Sequence, residues 1–224
     1  MKAMILAAGR GKRMMPLTAE LPKPMLKVNN KPLIEYHIER LKDAGITDIV
    51  INLAWQGDKI AQYFGDGAHL GVSIEYSFEP EGGLETAGGI INALPLLCKE
   101  TDKFIVINGD IFTDYNVHAL TQLVLDEGEA HIVLVENPPH HPDGDFTLGL
   151  ANQMQKFTFS GIGLYQKSFF DAYDNQFLAL GPLLRQGIEE CRVSRELYLN
   201  LWSDIGTPER LKQINEQVGM AYVG

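Results

Sequence analysis

The 224-residue sequence predicts an α/β fold in which a parallel or mostly parallel sheet carries helices on both faces. Three observations lead to this prediction. Short apolar runs, which are typical of buried strands, alternate with segments whose apolar residues recur at helical spacing. Strands and helices follow one another singly, which favours parallel strand pairing. The chain is also long enough, and with 45% hydrophobic residues apolar enough, to bury a sizeable core.

The first strand is predicted over residues 4–8, an apolar run that ends in glycines. A helix follows over residues 32–44, because apolar side chains occur at positions 33, 34, 38 and 41. Gly45 closes it, as glycine commonly does just past a helix C-terminus. The next predicted elements, in chain order, are a strand over 48–53, a helix over 56–64, a strand over 72–78, a helix over 86–94, a strand over 104–107, a helix over 117–127 and a strand over 131–135.

The alternation changes from residue 136. A proline-rich loop over 137–144 is followed by a strand-rich stretch over 157–165 and a helix over 177–190. Thr207 is suited to an N-cap and Pro208 to the first helical position, which predicts a last helix through about residue 218. We therefore expect a single domain over 1–224, with a first part over about 1–135 and a second part over about 136–224 that contains a small insertion.

Charge and composition exclude several kinds of partner. No apolar stretch is long enough to span a membrane, and the N-terminus does not resemble a secretory signal. The net charge of −10 argues against a general nucleic-acid binder. Two distant cysteines are typical of a reduced, cytoplasmic protein. Separately, we expect a monomer or a weak homo-oligomer. Residues 1–31 nevertheless carry seven lysines and arginines against one acid, which predicts a local site for a small polyphosphate.

A glycine loop follows the first strand and forms the centre of that basic region. Gly9 and Gly11 let backbone amides approach a ligand closely, and the loop could cradle phosphate oxygens. It is neither a Rossmann fingerprint, because the third glycine is missing, nor a Walker A motif, because Lys12 is followed by Arg13. Arg13 and Lys23 would add full positive charges. The alternative interpretation is a glycine turn with solvated basic side chains.

The run over residues 6–26 resembles the signature of the sugar-1-phosphate nucleotidylyltransferases, with LAAG-x-G-x-RM, PLT and PKPML in order. This family joins a nucleoside triphosphate to a sugar 1-phosphate and releases pyrophosphate. The resemblance implies a Rossmann-like three-layer α/β/α fold with a mixed, mostly parallel sheet. It makes Arg13, Lys23 and Asp110 catalytic. The implied nucleotide-binding residues are Leu6, Ala7, Ala8, Gly9, Gly11, Lys12, Arg13, Lys23, Thr86, Gly88 and Asn108.

Two aspartates, Asp110 and Asp204, each come at the end of a predicted strand. Ligands of open α/β sheets bind at the carboxyl ends of the strands, although an aspartate there can also simply shape a turn. Paired carboxylates suit Mg²⁺, which prefers oxygen ligands. The resemblance implies that these two residues hold the catalytic magnesium.

The loop over residues 81–89 is glycine-rich and, in the family, reads the nucleobase. Its LETAGG sequence resembles the uridylyltransferases that act on N-acetylmuramic acid 1-phosphate, which implies UTP as a substrate and a role in peptidoglycan recycling. A mannose-1-phosphate guanylyltransferase or a glucose-1-phosphate thymidylyltransferase is the alternative. A catalytically inactive nucleotide-sugar sensor is the alternative outside the enzymes.

The blocks over 135–146 and 158–162 resemble the same subfamily. This resemblance implies that the second part of the chain binds the sugar. The implied sugar-binding residues are Asn108, Asp145, Ser160 and Gly161. We interpret the adjacent His140 and His141 as part of a structural loop rather than as metal ligands. The segment over 147–156 is shorter than expected, so either the turn is tight or residues are missing. The candidates for binding the lactyl carboxylate of muramate, by charge alone, are Arg185, Arg192 and Arg195.

Overall fold

A computed structural model of the protein describes residues 1–149, 155–174 and 177–221. The strands are β1 (Lys2–Leu6), β2 (Lys27–Val28), β3 (Lys31–Pro32), β4 (Asp48–Leu53), β5 (Ser73–Phe78), β6 (Lys103–Asn108), β7 (Ile111–Thr113), β8 (Ala130–Val135), β9 (Phe146–Thr147), β10 (Lys156–Gln166), β11 (Val193–Tyr198) and β12 (Trp202–Asp204). The helices are α1 (Leu33–Asp43), α2 (Gly57–Phe64), α3 (Glu85–Leu97), α4 (His118–Thr121), α5 (Leu180–Glu189) and α6 (Pro208–Ala221). None of the described helices is long and apolar enough to cross a membrane.

The main sheet has the strand order β11-β8-β10-β6-β1-β4-β5, with β9 paired to β10. β10 runs antiparallel to both of its neighbours in this order, and every other pair along it is parallel. The mixed, mostly parallel sheet is therefore confirmed. β1 lies between β6 and β4, so the loop that follows β1 starts near the middle of the sheet.

The core has one apolar layer on each face of the sheet, as the alternation within β1 shows. Ala3 and Ile5 pack into the layer that includes α1, whereas Met4 packs into the layer that includes α3 and α5. Each of these three residues is fully buried. Helices thus cover both faces, which confirms the three-layer α/β/α arrangement.

The helix predicted over 117–127 is wrong beyond its first turn, because only His118–Thr121 is helical. Side chains of other elements bond two carbonyl groups that follow the observed helix. Lys103 Nζ donates to Leu123 O at 2.8 Å, and the side chain of Gln166 donates to the carbonyl of Leu125 at 3.0 Å. In the predicted helix the Leu123 carbonyl would accept from the amide of residue 127, so the bond from Lys103 competes with continuation of the helix.

Several predicted boundaries also differ from the structure. The first strand ends at Leu6 rather than at residue 8, because the Ala7 amide donates to the side-chain oxygen of Asn52 on β4 instead of to a backbone carbonyl. The helix predicted to end at 94 continues to Leu97, whose side chain is fully buried in the core. The last helix begins as predicted, with Thr207 Oγ1 accepting from the amide of Arg210 at 3.4 Å.

Candidate active site

The candidate site lies at the carboxyl ends of β1, β4 and β6. Leu6 is in register with Asn108 on one side and with Asn52 on the other. The amide of Gly109 donates to Leu6 O at 2.9 Å, and a Cβ at Gly109 would come within 2.7 Å of the same oxygen. Because only glycine permits this approach, the glycine loop and Asp110 begin side by side.

The glycine loop is folded against Lys23. Gly11 adopts a φ of 60°, and its carbonyl accepts hydrogen bonds from Thr18 Oγ1 and the amide of Met14, both at 2.8 Å. A Cβ at Gly11 would lie 3.1 Å from Lys23 Cβ. Met14 is fully buried and anchors the turn, whereas the side chains of residues 12 and 13 are exposed. The loop therefore presents Lys12 and Arg13 outward from a fixed backbone.

Lys23 and Asp110 form an ion pair between Lys23 Nζ and Asp110 Oδ2. Lys23 is only 8% exposed, so its ammonium group is held deep beside the carboxylate. These two residues and Gly9 line two adjoining cavities, one of about 190 Å³ and one of about 400 Å³. The ion pair therefore marks the junction between the two cavities.

The structure brings most of the predicted nucleotide-binding residues to these two cavities. The smaller cavity is lined by Gly9, Gly11, Lys12, Arg13 and Lys23, together with Asp110. The larger one is lined by Leu6, Ala7, Ala8, Gly9, Lys23, Thr86 and Asn108, together with Asp110. Gly88 lines neither cavity. It lies buried in α3, and its amide donates to Leu178 O at 3.0 Å.

Phe177 is a cavity residue that sequence reasoning missed. Its side chain is 68% exposed and lines the larger cavity. The next residue holds it there, because the amide of Leu178 donates to Leu84 O at 2.9 Å while Leu178 O accepts from Ala87 and Gly88. Nothing in the periodicity of the sequence pairs this segment with the loop over 81–89.

Sequence reasoning also missed a chain of hydrogen-bonded polar side chains, here called the polar chain, which connects the glycine loop to the loop over 81–89. Asn52 Oδ1 accepts from the amide of Ala7, and Asn52 Nδ2 donates to Glu79 Oε1, both at 2.6 Å. Glu79 Oε2 in turn accepts from the amide of Leu84 at 2.9 Å. Burial raises the pKa of Glu79, while the hydrogen bonds from Asn52 and Leu84 act to lower it. A buried asparagine at the end of an apolar strand is the one sequence signal for this connection.

Asp204 reaches the site through a small second sheet. β12 runs antiparallel to β7 with Asp204 opposite Ile111, and the amide of Ile205 donates to Asp110 O at 2.8 Å. The predicted carboxylates therefore come from adjacent backbone segments. Asp204 Oδ1 lies 3.1 Å from Arg210 Nη1 and 3.0 Å from His140 Nε2.

The oxygen donors of the two carboxylates suit the predicted magnesium ion. Asp110 and Asp204 offer only hard oxygen atoms, and Mg²⁺ usually binds one or two carboxylates and completes its shell with water and phosphate. Across the residues that the structure describes, no three His, Cys, Asp or Glu side chains converge as a ready-made metal site. In this state a cationic partner contacts each carboxylate instead.

Of the predicted sugar-binding residues, Gly161 lies against Asn108, Ser160 is on the same strand as Gly161, and Asp145 is bonded to that strand. Gly161 has a φ of 82°, and a Cβ there would come within 2.6 Å of the Asn108 amide group. Ser160 is buried, and its hydroxyl accepts from the amide of Ile162 at 3.2 Å. Asp145 Oδ2 accepts from the amide of Phe159 at 2.8 Å. Of these residues, only Asn108 lines the larger cavity.

The two histidines of the proline-rich loop contact different carboxylates. His140 pairs with Asp204, whereas His141 Nε2 lies 3.1 Å from Asp145 Oδ1. The pair therefore does not converge on one point. Part of the short segment over 147–156, namely residues 150–154, lies outside the described residues.

The three arginines proposed for the lactyl carboxylate do not line these cavities. Arg192 bonds Glu190 and the carbonyl of Gly128, near the start of β8, at the opposite edge of the sheet from Asp110. Arg192 and Arg195 line a separate cavity of about 480 Å³, and Arg185 is exposed on α5.

Comparisons with known proteins agree with this geometry. The model of the nucleotidyl transferase family matches residues 2–153. The chain is 50% identical to N-acetylmuramate alpha-1-phosphate uridylyltransferase of Neisseria meningitidis serogroup B, over 98% of this chain and 99% of the relative. It is 29% identical to D-glycero-alpha-D-manno-heptose 1-phosphate guanylyltransferase of Campylobacter jejuni, over 93% and 96% of the two chains. The crystal structure of HddC from Yersinia pseudotuberculosis has the same fold, with a TM-score of 0.77, 24% identity and coverage of 97% and 99%.

Proposed function

Because the chain belongs to the nucleotidyl transferase family, we propose that it transfers UMP from UTP to N-acetylmuramic acid 1-phosphate. The products are UDP-N-acetylmuramic acid and pyrophosphate. The full-length 50% identity to a uridylyltransferase for this sugar phosphate supports the choice of substrates. The observation that carries the proposal is the junction of two cavities at the Lys23–Asp110 pair, because a nucleoside triphosphate needs one site for its base and an adjoining cationic site for its phosphates.

The triphosphate of UTP is assigned to the glycine loop. Gly9 and Gly11 leave room for phosphate oxygens near backbone amides, and Lys12, Arg13 and Lys23 supply positive charge around the smaller cavity. The loop backbone is fixed by the hydrogen bonds to the Gly11 carbonyl and by the buried Met14, and the three cations border the same cavity. They would therefore stabilise the negative charge that grows on the departing pyrophosphate, as preorganised donors do in other enzymes.

The resemblance to the family implies a magnesium ion, which Asp110 and Asp204 would hold. When bound, such an ion acts as a Lewis acid that neutralises phosphate charge and orients the reactants. If Asp110 turned its Oδ2 to the ion, the Lys23 ammonium group would lose its ion pair and would bind phosphate oxygens instead. Asp204 would likewise exchange its contacts with His140 and Arg210.

The reaction is an in-line displacement at the α-phosphorus of UTP. A phosphate oxygen of the sugar 1-phosphate forms the new P–O bond, and the bond to the β-phosphate breaks with both electrons leaving on pyrophosphate. The attacking phosphate is already ionised at neutral pH, so no general base is required. The protein contributes positioning and charge stabilisation, as in other phosphoryl-type transfers.

The nucleobase is assigned to the larger cavity, beside the loop over 81–89. Thr86 lines this cavity, and Phe177 offers an exposed aromatic face at the same place. The polar chain through Asn52 and Glu79 would couple the position of this loop to the backbone of the glycine loop.

We place the enzyme in the cytoplasm, in keeping with the unpaired state of its two cysteines.

A panel of substrate pairs tests the proposal. UTP, GTP, dTTP and CTP are each incubated with N-acetylmuramic acid 1-phosphate, mannose 1-phosphate and glucose 1-phosphate in the presence of Mg²⁺, and products are identified by mass. We expect UDP-N-acetylmuramic acid as the main product. Turnover of mannose 1-phosphate with GTP alone would overturn the uridylyl assignment. Binding of UTP without pyrophosphate release from any pair would instead favour a sensor.

A further inference from the structure

Arg210 lies in the first turn of α6 and reaches back to Asp204. Its Nη1 is 3.1 Å from Asp204 Oδ1, and the side chain is only 13% exposed. Its Nε atom is buried and, within the described residues, has no hydrogen-bond partner. A buried guanidinium that uses part of its donor capacity is costly unless something else satisfies the remainder.

The backbone of the preceding turn makes room for this side chain. A Cβ placed on Gly206 would come within 1.8 Å of Arg210 Nη2 and 3.1 Å of Asp204 Oδ2. Any other residue at 206 would therefore displace the guanidinium. Gly206 therefore leaves the space that the Arg210 guanidinium occupies beside Asp204.

Arg210 also lines a third cavity, of about 540 Å³, which opens beside Asp204. Arg13 and His140 line the same cavity. Arg13 also lines the smaller cavity that is assigned to the triphosphate. The third cavity therefore begins where the triphosphate site ends, and two arginines border it.

We propose that Arg210 binds the phosphate group of the sugar 1-phosphate and holds it beside Asp204 for attack on UTP. This inference rests on the proposed function. Arg210 pairs with Oδ1 of Asp204, a carboxylate assigned to magnesium, and its Nε has no partner within the described residues, so the guanidinium keeps donor capacity for a new anion. The planar fork of an arginine matches phosphate oxygens in a bidentate manner, which suits positioning of the attacking group.

Steady-state kinetics of Arg210→Gln and Arg210→Lys provide the first test. For Arg210→Gln we expect the KM for N-acetylmuramic acid 1-phosphate to rise about ten- to hundredfold, the usual effect of losing a charged hydrogen bond, with the KM for UTP within twofold of wild type. Arg210→Lys should restore part of the loss. The matched control is Lys212→Gln, which removes a 79% exposed cation from the same helix and should change neither KM.

A purely structural role predicts a different result. If Arg210 only orients Asp204, the variants will need more Mg²⁺ while the KM for the sugar phosphate stays unchanged, and this result would overturn the inference. Melting temperatures show whether each variant is folded. If Arg210→Gln does not fold, the charge-conserving Arg210→Lys carries the test, with a smaller rise in the same KM expected.

Direct binding separates the phosphate from the lactyl carboxylate, and it does not depend on turnover. By calorimetry, Arg210→Gln should lose affinity for N-acetylglucosamine 1-phosphate and for N-acetylmuramic acid 1-phosphate by similar factors. A loss confined to the muramate ligand would mean that Arg210 contacts the carboxylate and would contradict the proposal. If wild type makes no pyrophosphate but this affinity still depends on Arg210, the uridylyl proposal fails and only the phosphate-binding role of Arg210 stands. If wild type turns over and the variant binds both ligands normally, the inference fails alone.

Discussion

The stability of the fold should fall steeply in mild acid because of His37. This residue lies on α1, is 1% exposed, and its Nε2 is 2.9 Å from Ile111 O. A neutral imidazole donating from Nε2 satisfies that carbonyl. Burial, helped by the nearby charge of Arg40, lowers the pKa of His37 from 6.5 to about 4, while the hydrogen bond to Ile111 and the charge of Asp110 act in the opposite direction.

The sign of the effect follows from the direction of the shift. Because the pKa of His37 is lower in the folded protein than in the unfolded chain, the contribution of His37 to stability is complete above pH 6.5. It is lost as the pH falls from 6.5 through about 4, since the unfolded chain takes up a proton that the folded protein excludes. A lowering from 6.5 to about 4 corresponds to about 3 kcal/mol.

Urea unfolding of wild type and His37→Gln between pH 7.5 and pH 4 isolates this effect from other titrating groups. We expect the difference in unfolding free energy between the two proteins to shrink by about 3 kcal/mol across that range. An NMR titration of the His37 ring should show it neutral at pH 5. A ring that titrates near pH 6.5, or a free-energy difference that does not change with pH, would refute the reasoning.

Three further predictions concern the site. Lys23→Ala should slow pyrophosphate release by about 10²–10³-fold, because it removes the buried cation at the cavity junction, whereas the exposed Lys27→Ala should retain the wild-type rate. Gly109→Ala should lower the free energy of unfolding by about 1–3 kcal/mol, measured in urea, because its Cβ would meet Leu6 O at 2.7 Å; unchanged stability would show that the two strand ends separate freely. Phe177→Ala should weaken UTP binding about tenfold in calorimetry if the ring stacks on the base, and equal affinity would exclude that contact.

The central strands were predicted correctly because the conformation that their local sequence favours is also the one that burial in the sheet favours. The apolar run that forms β1 is buried on both faces, and the strand predicted over 48–53 coincides with Asp48–Leu53. The helix over 117–127 was wrong beyond its first turn, where the side chain of Lys103, from a distant strand, competes for the carbonyl of Leu123. No window of sequence contains that competition.

The candidate site could likewise be predicted from the sequence only in part. Lys23 and Asp110 could be singled out from the loops that contain them, but they are 87 residues apart and their ion pair is set by the packing of β1 against β6. Arg210 gave no signal, since an arginine in the first turn of a helix is ordinarily solvated. Its packing over Gly206 and its ion pair with Asp204 are visible only in the folded structure.

A crystal structure with Mg²⁺ and a non-hydrolysable UTP analogue tests the central claim most directly. We predict one ion bound by both Asp110 and Asp204, with the triphosphate against the glycine loop and the Lys23 ammonium turned from Asp110 to phosphate oxygens. An ion held by only one of these aspartates, or a triphosphate bound away from Arg13 and Lys23, would contradict the account.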